Sequence, residues 1–372
     1  MKYYIIAGEA SGDLHASNLI KEIKENDQQA EFRCWGGDLM EAQGAKLVKH
    51  YRDLAFMGFA EVITNLRTIL GNISFCKKDI VEYQPDAVIL VDYPGFNLRI
   101  ASFVKEQGIK VYYYISPQVW AWKKNRVKTI KKVVDRMFVI LPFEKDFYKG
   151  WNYDVDFVGH PLLDAINGGS TFNRDAFIEK NQLDNSKPII AMLPGSRKQE
   201  ISKVLPIMLK AIDDFPDYQF IIGGAPALPE SYLESYVGQK NVKIIYNQTH
   251  DLLRSAYAAL VTSGTATLET ALFGVPEVVC YKGSYISYQI AKRVISIDYI
   301  SLVNLIMDKM VVKELIQGDL NYKNLVGELK KITVDEQGRA NMMKDFDELH
   351  TKLKGGTASK TTAKLIVDDM KK

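Results

Sequence analysis

Cysteine is scarce in this chain: Cys34, Cys76 and Cys280 are an odd number at wide spacing with no C-x-x-C. That excludes a disulfide framework or a zinc ribbon and leaves buried thiols in a reducing compartment. Long apolar runs are missing too. The most apolar late stretch, Tyr257 to Tyr281, is broken by Glu269, Gly274, Pro276 and Glu277, so nothing supplies the ~20 apolar residues of a membrane helix. The first apolar run, Tyr3 to Ala7, is too short for the core of an export signal, and the chain reads as cytoplasmic, with any membrane contact peripheral. Neither sign of charge dominates: 48 basic against 45 acidic residues give a net +3, which provides no general attraction for nucleic acid. The five histidines, His15, His50, His160, His250 and His350, follow no metal-binding spacing. No metal or cofactor is expected, and the absence of a G-x-S-x-G elbow removes a serine hydrolase.

What is present is an ordinary globular composition over 372 residues, 47% hydrophobic and 25% charged. At roughly 150 residues per domain, that length suggests two domains. Short β-branched or aromatic runs alternate with helical patterns, the signature of parallel sheets with crossover helices. Strands are expected at Tyr3–Ala7, Ala87–Val91, Lys110–Ile115, Arg136–Ile140, Ile189–Leu193, Gln219–Gly223, Val242–Tyr246, Ala259–Thr262 and Glu277–Tyr281. The polar Asn167-Gly168-Gly169-Ser170 stretch and the segment Asp184 to Pro188 mark the passage between two doubly wound α/β domains facing a cleft. From about Asn321 onward the pattern is helical and charged.

In open α/β sheets, ligands bind beyond the carboxyl ends of the strands, and four loops there carry suggestive residues. Gly8-Glu9-Ala10-Ser11-Gly12-Asp13 opens a helix after the first strand; it suits a phosphate-like group, or else a tight turn with Asp13 as a cap. It is neither a dinucleotide fingerprint nor a Walker A loop. Asp92 ends a continuous apolar strand and is the leading general base, the alternative being an Asx turn. Gly195-Ser196-Arg197 suits a diphosphate held by backbone donors and a guanidinium. Ser263-Gly264-Thr265 repeats the small-residue turn and sets Glu269 one helical turn further on, where a carboxylate can accept ribose hydroxyls.

Two surface features have competing readings. Val62, Ile63, Leu66, Ile69, Leu70 and Ile73 form a helical apolar stripe, facing the core or, with Leu54 to Phe59, dipping into a membrane surface. The run from Trp120 to Lys132 is basic and aromatic, either a solvated face or a contact for phosphorylated, anionic lipid.

Several blocks in order resemble the lipid-A-disaccharide synthase family: Ala7 to Asp13, Met57-Gly58, Asp92 with Phe96-Asn97, Ser116 to Trp122, Leu141-Pro142-Phe143-Glu144, Val158-Gly159-His160, Leu193 to Arg197, Ser263 to Glu269 and Tyr299 to Asn304. The resemblance implies a GT-B glycosyltransferase fold. Its parts would be an acceptor- and membrane-facing Rossmann-like domain at 1–167, a UDP-sugar domain at 168–345, and a helix at 346–372 crossing back to the first domain. The implied reaction moves 2,3-diacylglucosamine from UDP-2,3-diacylglucosamine to 2,3-diacylglucosamine 1-phosphate, with inversion, at the cytoplasmic face of the inner membrane. By the same resemblance Asp92 is the base, and Glu9, Ser11, Asn97, Gly195, Ser196, Arg197, Ser263, Gly264, Thr265, Glu269 and Asn304 contact substrate. Leu66, Ile69, Leu70 and Ile73 would meet the membrane. Some members carry a second acidic residue where this chain has Gly95, so Asp92 would act alone. A UDP-N-acetylglucosamine 2-epimerase and a non-catalytic lipid-binding protein on the same scaffold are the competing readings; monomer and homodimer both stay open.

Overall fold

The computed structural model describes the chain except residues 55–65, 168–171, 226–227, 239, 241, 285–287, 290–292 and 294–296. It contains two compact units, one of Met1–Asp164 with Leu353–Lys372, the other of Ala165–Lys352. The first division lies close to the expected 167/168, but the second differs from the expected 345/346: residues 346–352 continue the helix Glu336–Leu353 and belong to the second unit, and the return to the first unit starts at Leu353. The polar stretch beginning at Gly168 and the Met57-Gly58 block lie outside the described residues.

The first unit is built on seven parallel strands: β1 Lys2–Ala7, β2 Glu31–Gly36, β3 Lys46–His50, β4 Ala87–Val91, β5 Lys110–Tyr114, β6 Arg136–Val139 and β7 Asp156–Phe157. Their order is β3-β2-β1-β4-β5-β6-β7. Both faces of the sheet are covered, which is why β1 and β4 read as unbroken apolar runs. Tyr4, Ile6, Val88 and Leu90 enter one core with Cys76 and Ile80 of the helix Leu66–Tyr83 and Ile100 of the helix Pro94–Glu106. Tyr3, Ile5, Ile89 and Tyr112 enter the other with Leu19 and Ile23 of the helix Ala10–Asn26 and Ile366 of the final helix, Ala358–Met370. That last helix is tied down by Tyr112, whose hydroxyl donates to Asp369 at 2.6 Å, and by Arg136, which donates to the Leu365 carbonyl at 3.2 Å.

The second unit repeats the plan with β8 Ile189–Leu193, β9 Gln219–Gly224, β10 Lys243–Tyr246, β11 Ala256–Thr262, β12 Glu277–Tyr281 and β13 Lys313–Ile316, all parallel, in the order β10-β9-β8-β11-β12-β13. In each unit the strand order reverses once, between β1 and β4 and between β8 and β11. A doubly wound sheet opens its ligand crevice at that reversal. The four expected loops follow these four strands.

Strands β2, β3, β7 and β13 were not expected from the sequence. They lie at or next to sheet edges, and charged residues dilute their apolar runs. Arg33 in β2, for example, spends its guanidinium on a bidentate pair with Asp79, one arm at 3.0 Å.

The apolar stripe is divided by the structure. Ile73 is buried in the core with Cys76, so it is corrected from membrane contact to packing. Ile69 is half-buried against the same core, while Leu70 is 55% exposed. Val62, Ile63 and the Leu66 side chain lie outside the described residues.

Candidate active site

In the first unit, β1 runs into Gly8, and a Cβ there would lie 2.3 Å from the Tyr93 ring, so only glycine lets the two loops close. Glu9 and Ser11 are exposed at the start of the following helix, whose first backbone donors have no side-chain cap. Asp13 caps a different helix from the one expected. Its carboxylate accepts from the backbone N–H groups of Gly37 at 2.8 Å, Leu39 at 3.1 Å and Met40 at 3.2 Å, at the start of the short helix Asp38–Ala42.

Asp92 follows β4 with φ 43°, and Tyr93 follows it with φ 47°. Two consecutive left-handed non-glycine residues store strain of about 1–2 kcal/mol each, and such strain gathers at functional sites. Surrounding bonds hold the turn. The Asp92 carbonyl accepts from Asn97 Nδ2 at 2.7 Å and from the Tyr113 hydroxyl at 2.6 Å, and the Asp92 N–H donates to the Tyr114 carbonyl at 3.2 Å. Asn97 is therefore not the substrate contact it was expected to be: it is fully buried and fixes the backbone from which Asp92 projects.

Asp92, an exposed residue, lines a cavity of about 320 Å³ with Ser116, Gln118, Trp122 and Glu144. Desolvation, then the nearby Glu9 carboxylate, push its pKa up to about 6, against the opposing effect of the Tyr93 N–H. Glu144 carried no assigned role in the sequence reading. It is buried, its pKa pushed up to about 7 by desolvation, and it accepts from the Leu141 N–H at 3.0 Å as the third residue of the helix Pro142–Lys149. The Leu-Pro-Phe-Glu spacing is the available signal, a proline-led capping box.

In the second unit, Gly195 takes φ 107° after β8, and a Cβ there would meet Glu200 Oε2 at 2.9 Å. Arg197 precedes the helix Lys198–Lys210; its side chain is 68% exposed and donates to Glu200 Oε1 at 3.0 Å. After β11, Gly264 precedes the helix Thr265–Leu272. Neither helix start has a side-chain cap, so both offer free backbone donors and the positive end of the dipole. Gly195, Ser196, Arg197, Ser263, Gly264 and Thr265 line one cavity of about 390 Å³. Thr249 and Glu200 join that lining without having been expected.

Two expected contacts sit differently. Glu269 does not line this cavity; its Oε1 lies 2.7 Å from His250 Nε2, a pair that raises the histidine pKa. Asn304 is fully buried with its amide saturated, and is corrected from substrate contact to scaffold. It accepts from the N–H groups of Val311 and Val312 at 2.8 and 2.9 Å, and donates to the Val312 carbonyl at 2.8 Å and Glu314 Oε1 at 2.9 Å. Glu314 in turn accepts from the N–H groups of Ile300 and Ser301, and the Ile300 carbonyl accepts from Ser263 Oγ at 3.3 Å. Asn304 thus supports the Ser263 turn from behind. Among the described residues, no group of three His, Cys, Asp or Glu side chains is placed to hold a metal, and no helix is long and apolar enough to cross a membrane.

Paired doubly wound units with loop sites at both strand reversals define the GT-B class of sugar-nucleotide enzymes. Solved structures agree on the fold: the glycosyltransferase of kitacinnamycin superposes with a TM-score of 0.70 at 14% identity, covering 99% of both chains. UDP-GlcNAc 2-epimerase from Neisseria meningitidis gives 0.68 at 14% identity, covering 99% of this chain and 100% of that one. The family model described as lipid-A-disaccharide synthetase matches residues 3–367. A lipid-A-disaccharide synthase from Syntrophus aciditrophicus is 42% identical over 356 residues, covering 94% of this chain and 92% of that one. The chain belongs to the lipid-A-disaccharide synthase family, and is a glycosyltransferase of lipid A synthesis.

Proposed function

We propose that this chain transfers 2,3-diacylglucosamine from UDP-2,3-diacylglucosamine to the 6-hydroxyl of 2,3-diacylglucosamine 1-phosphate, with Asp92 as the base. The acceptor oxygen gives its proton to Asp92 and forms the new bond to the anomeric carbon. The bond from that carbon to the diphosphate breaks, its electron pair leaving with UDP. A single displacement inverts the anomeric centre and yields the β-1,6-linked disaccharide 1-phosphate. Arg197 and the two uncapped helix starts hold the charge that grows on the leaving diphosphate. Glu269, steadied by His250, keeps one carboxylate oxygen for the ribose, and Glu9 and Ser11 flank the acceptor. The exposed Leu70 and the adjoining Ile69 meet the acyl-lipid surface, at the cytoplasmic face of the inner membrane.

The observation that carries this reading is the state of Asp92. Its backbone carbonyl is pinned by two donors, the residue lines a cavity, and its carboxyl has a pKa near 6, so it is ionised and still basic at neutral pH. The test is disaccharide and UDP formation from the two substrates in detergent micelles. The parent forms both; UDP-sugar turnover that gives an epimerised sugar and no disaccharide would overturn the reading.

A further inference from the structure

We infer that Trp122, Lys123 and Arg126 form a subsite for the acceptor's phosphate and make the enzyme select a phosphorylated sugar; the inference rests on the acceptor reading above. Trp122 closes the short helix Val119–Trp122, lines the same cavity as Asp92, and is 50% exposed. Two cations gather on its ring: Lys123 Nζ is 4.0 Å from the ring centroid and the Arg126 guanidinium carbon 5.9 Å. The electron-rich face of the ring attracts both cations and holds two like charges together.

No described carboxylate pairs with either cation. From Trp120 to Lys132 the sequence supplies only positive charges, and the next acidic side chain, Asp135, is bound to Lys105 and to the Val111 N–H. Burial and the neighbouring Arg126 lower the Lys123 pKa, the mark of a cation lacking a counter-charge. Other surface cations are paired, Lys309 with Asp345 and Glu348 and Lys240 with Asp213; what sets Lys123 and Arg126 apart is that they share one ring on the wall of the Asp92 cavity. A doubly charged phosphate monoester supplies the missing counter-charge, and a guanidinium and an ammonium at one rim can share its oxygens. An acceptor whose hydroxyl reaches Asp92 carries that phosphate on the same sugar ring, within reach of the cavity's Trp122 wall. A sugar without the phosphate leaves the cations unpaired and loses this contribution.

The phosphate can come from the acceptor or from an anionic lipid headgroup, and the experiment separates the two. Initial rates are measured for the parent and the Lys123→Gln/Arg126→Gln double variant, in neutral detergent micelles, with 2,3-diacylglucosamine 1-phosphate and with the same acceptor lacking its phosphate. The inference predicts a KM for the phosphorylated acceptor raised about 10-fold or more in the variant. It also predicts a nearly unchanged kcat, rates equal to the parent's with the unphosphorylated acceptor, and recovery in Lys123→Arg/Arg126→Lys. Equal losses with both acceptors would overturn it in favour of a structural role. A loss seen only on vesicles containing anionic phospholipid would overturn it in favour of the headgroup. No disaccharide from the parent would bring down the acceptor reading first, and this inference with it. Should the double variant unfold, Lys123→Gln alone serves, because that side chain is exposed.

Discussion

The cavity at Asp92 and the cavity at Arg197 both lie beyond the carboxyl ends of strands in two similar sheets, the first beyond β4, β5 and β6, the second beyond β8 and β11, where the order reverses. Their chemistry is opposite. The first holds two carboxyls, the exposed Asp92 and the buried Glu144, with pKa values raised by desolvation to about 6 and about 7. The second presents glycine turns, uncapped helix starts and an exposed guanidinium. A doubly wound frame thus offers either carboxyls for proton transfer or donors for anion binding, according to what the loops beyond its strands carry.

The contrast can be broken from either side. Asp92→Asn removes the base and keeps the shape, and should lower kcat by about 10²–10⁴-fold in the disaccharide assay. Arg197→Gln removes the guanidinium and should cost about 10²–10³-fold in kcat/KM. If the two cavities divide the labour as described, UDP affinity by calorimetry should fall for Arg197→Gln and hold for Asp92→Asn.

A smaller effect sharpens the difference through stability. The folded-state pKa of Asp92 lies above its ordinary value, so its protonated form is the one that favours folding. That contribution is fully present below about pH 4 and is lost as pH rises through about 6. The Asn variant should therefore be more stable than the parent at pH 8 in urea unfolding, by an amount that solvent screening of the exposed side chain keeps small, and should approach it at pH 4. A site that traded stability for basicity behaves in this way.

Much of this frame was legible in the sequence, because strands covered on both faces must be apolar throughout. β1, β4, β8 and β11 announce themselves in that way, and the small residues after them mark the loops. What escaped depended on partners distant in the chain. The edge strands β3 and β13 carry charge that no local pattern distinguishes from a loop. Asn304 reads as a polar residue in a motif until Glu314 and the Val311 and Val312 N–H groups absorb its amide. Glu269 reads as a free carboxylate until β11 and its neighbours bring His250 to it. Ile73 and Leu70 share one stripe, and only the packing of the helix separates them. That separation gives the smallest effects: Ile73→Ala should destabilise by about 2–4 kcal/mol. Leu70→Ser should change stability by less than about 0.5 kcal/mol and weaken sedimentation with lipid vesicles.

The most direct measurement is the pH dependence of kcat/KM for disaccharide formation, in the parent and in Asp92→Asn. A base works only when ionised, so the parent's rate should rise with pH through about 6 and then level, while the residual rate of the variant should lack that limb. A limb that survives unchanged in Asp92→Asn, or a parent profile flat from pH 5 to 8, would contradict the account.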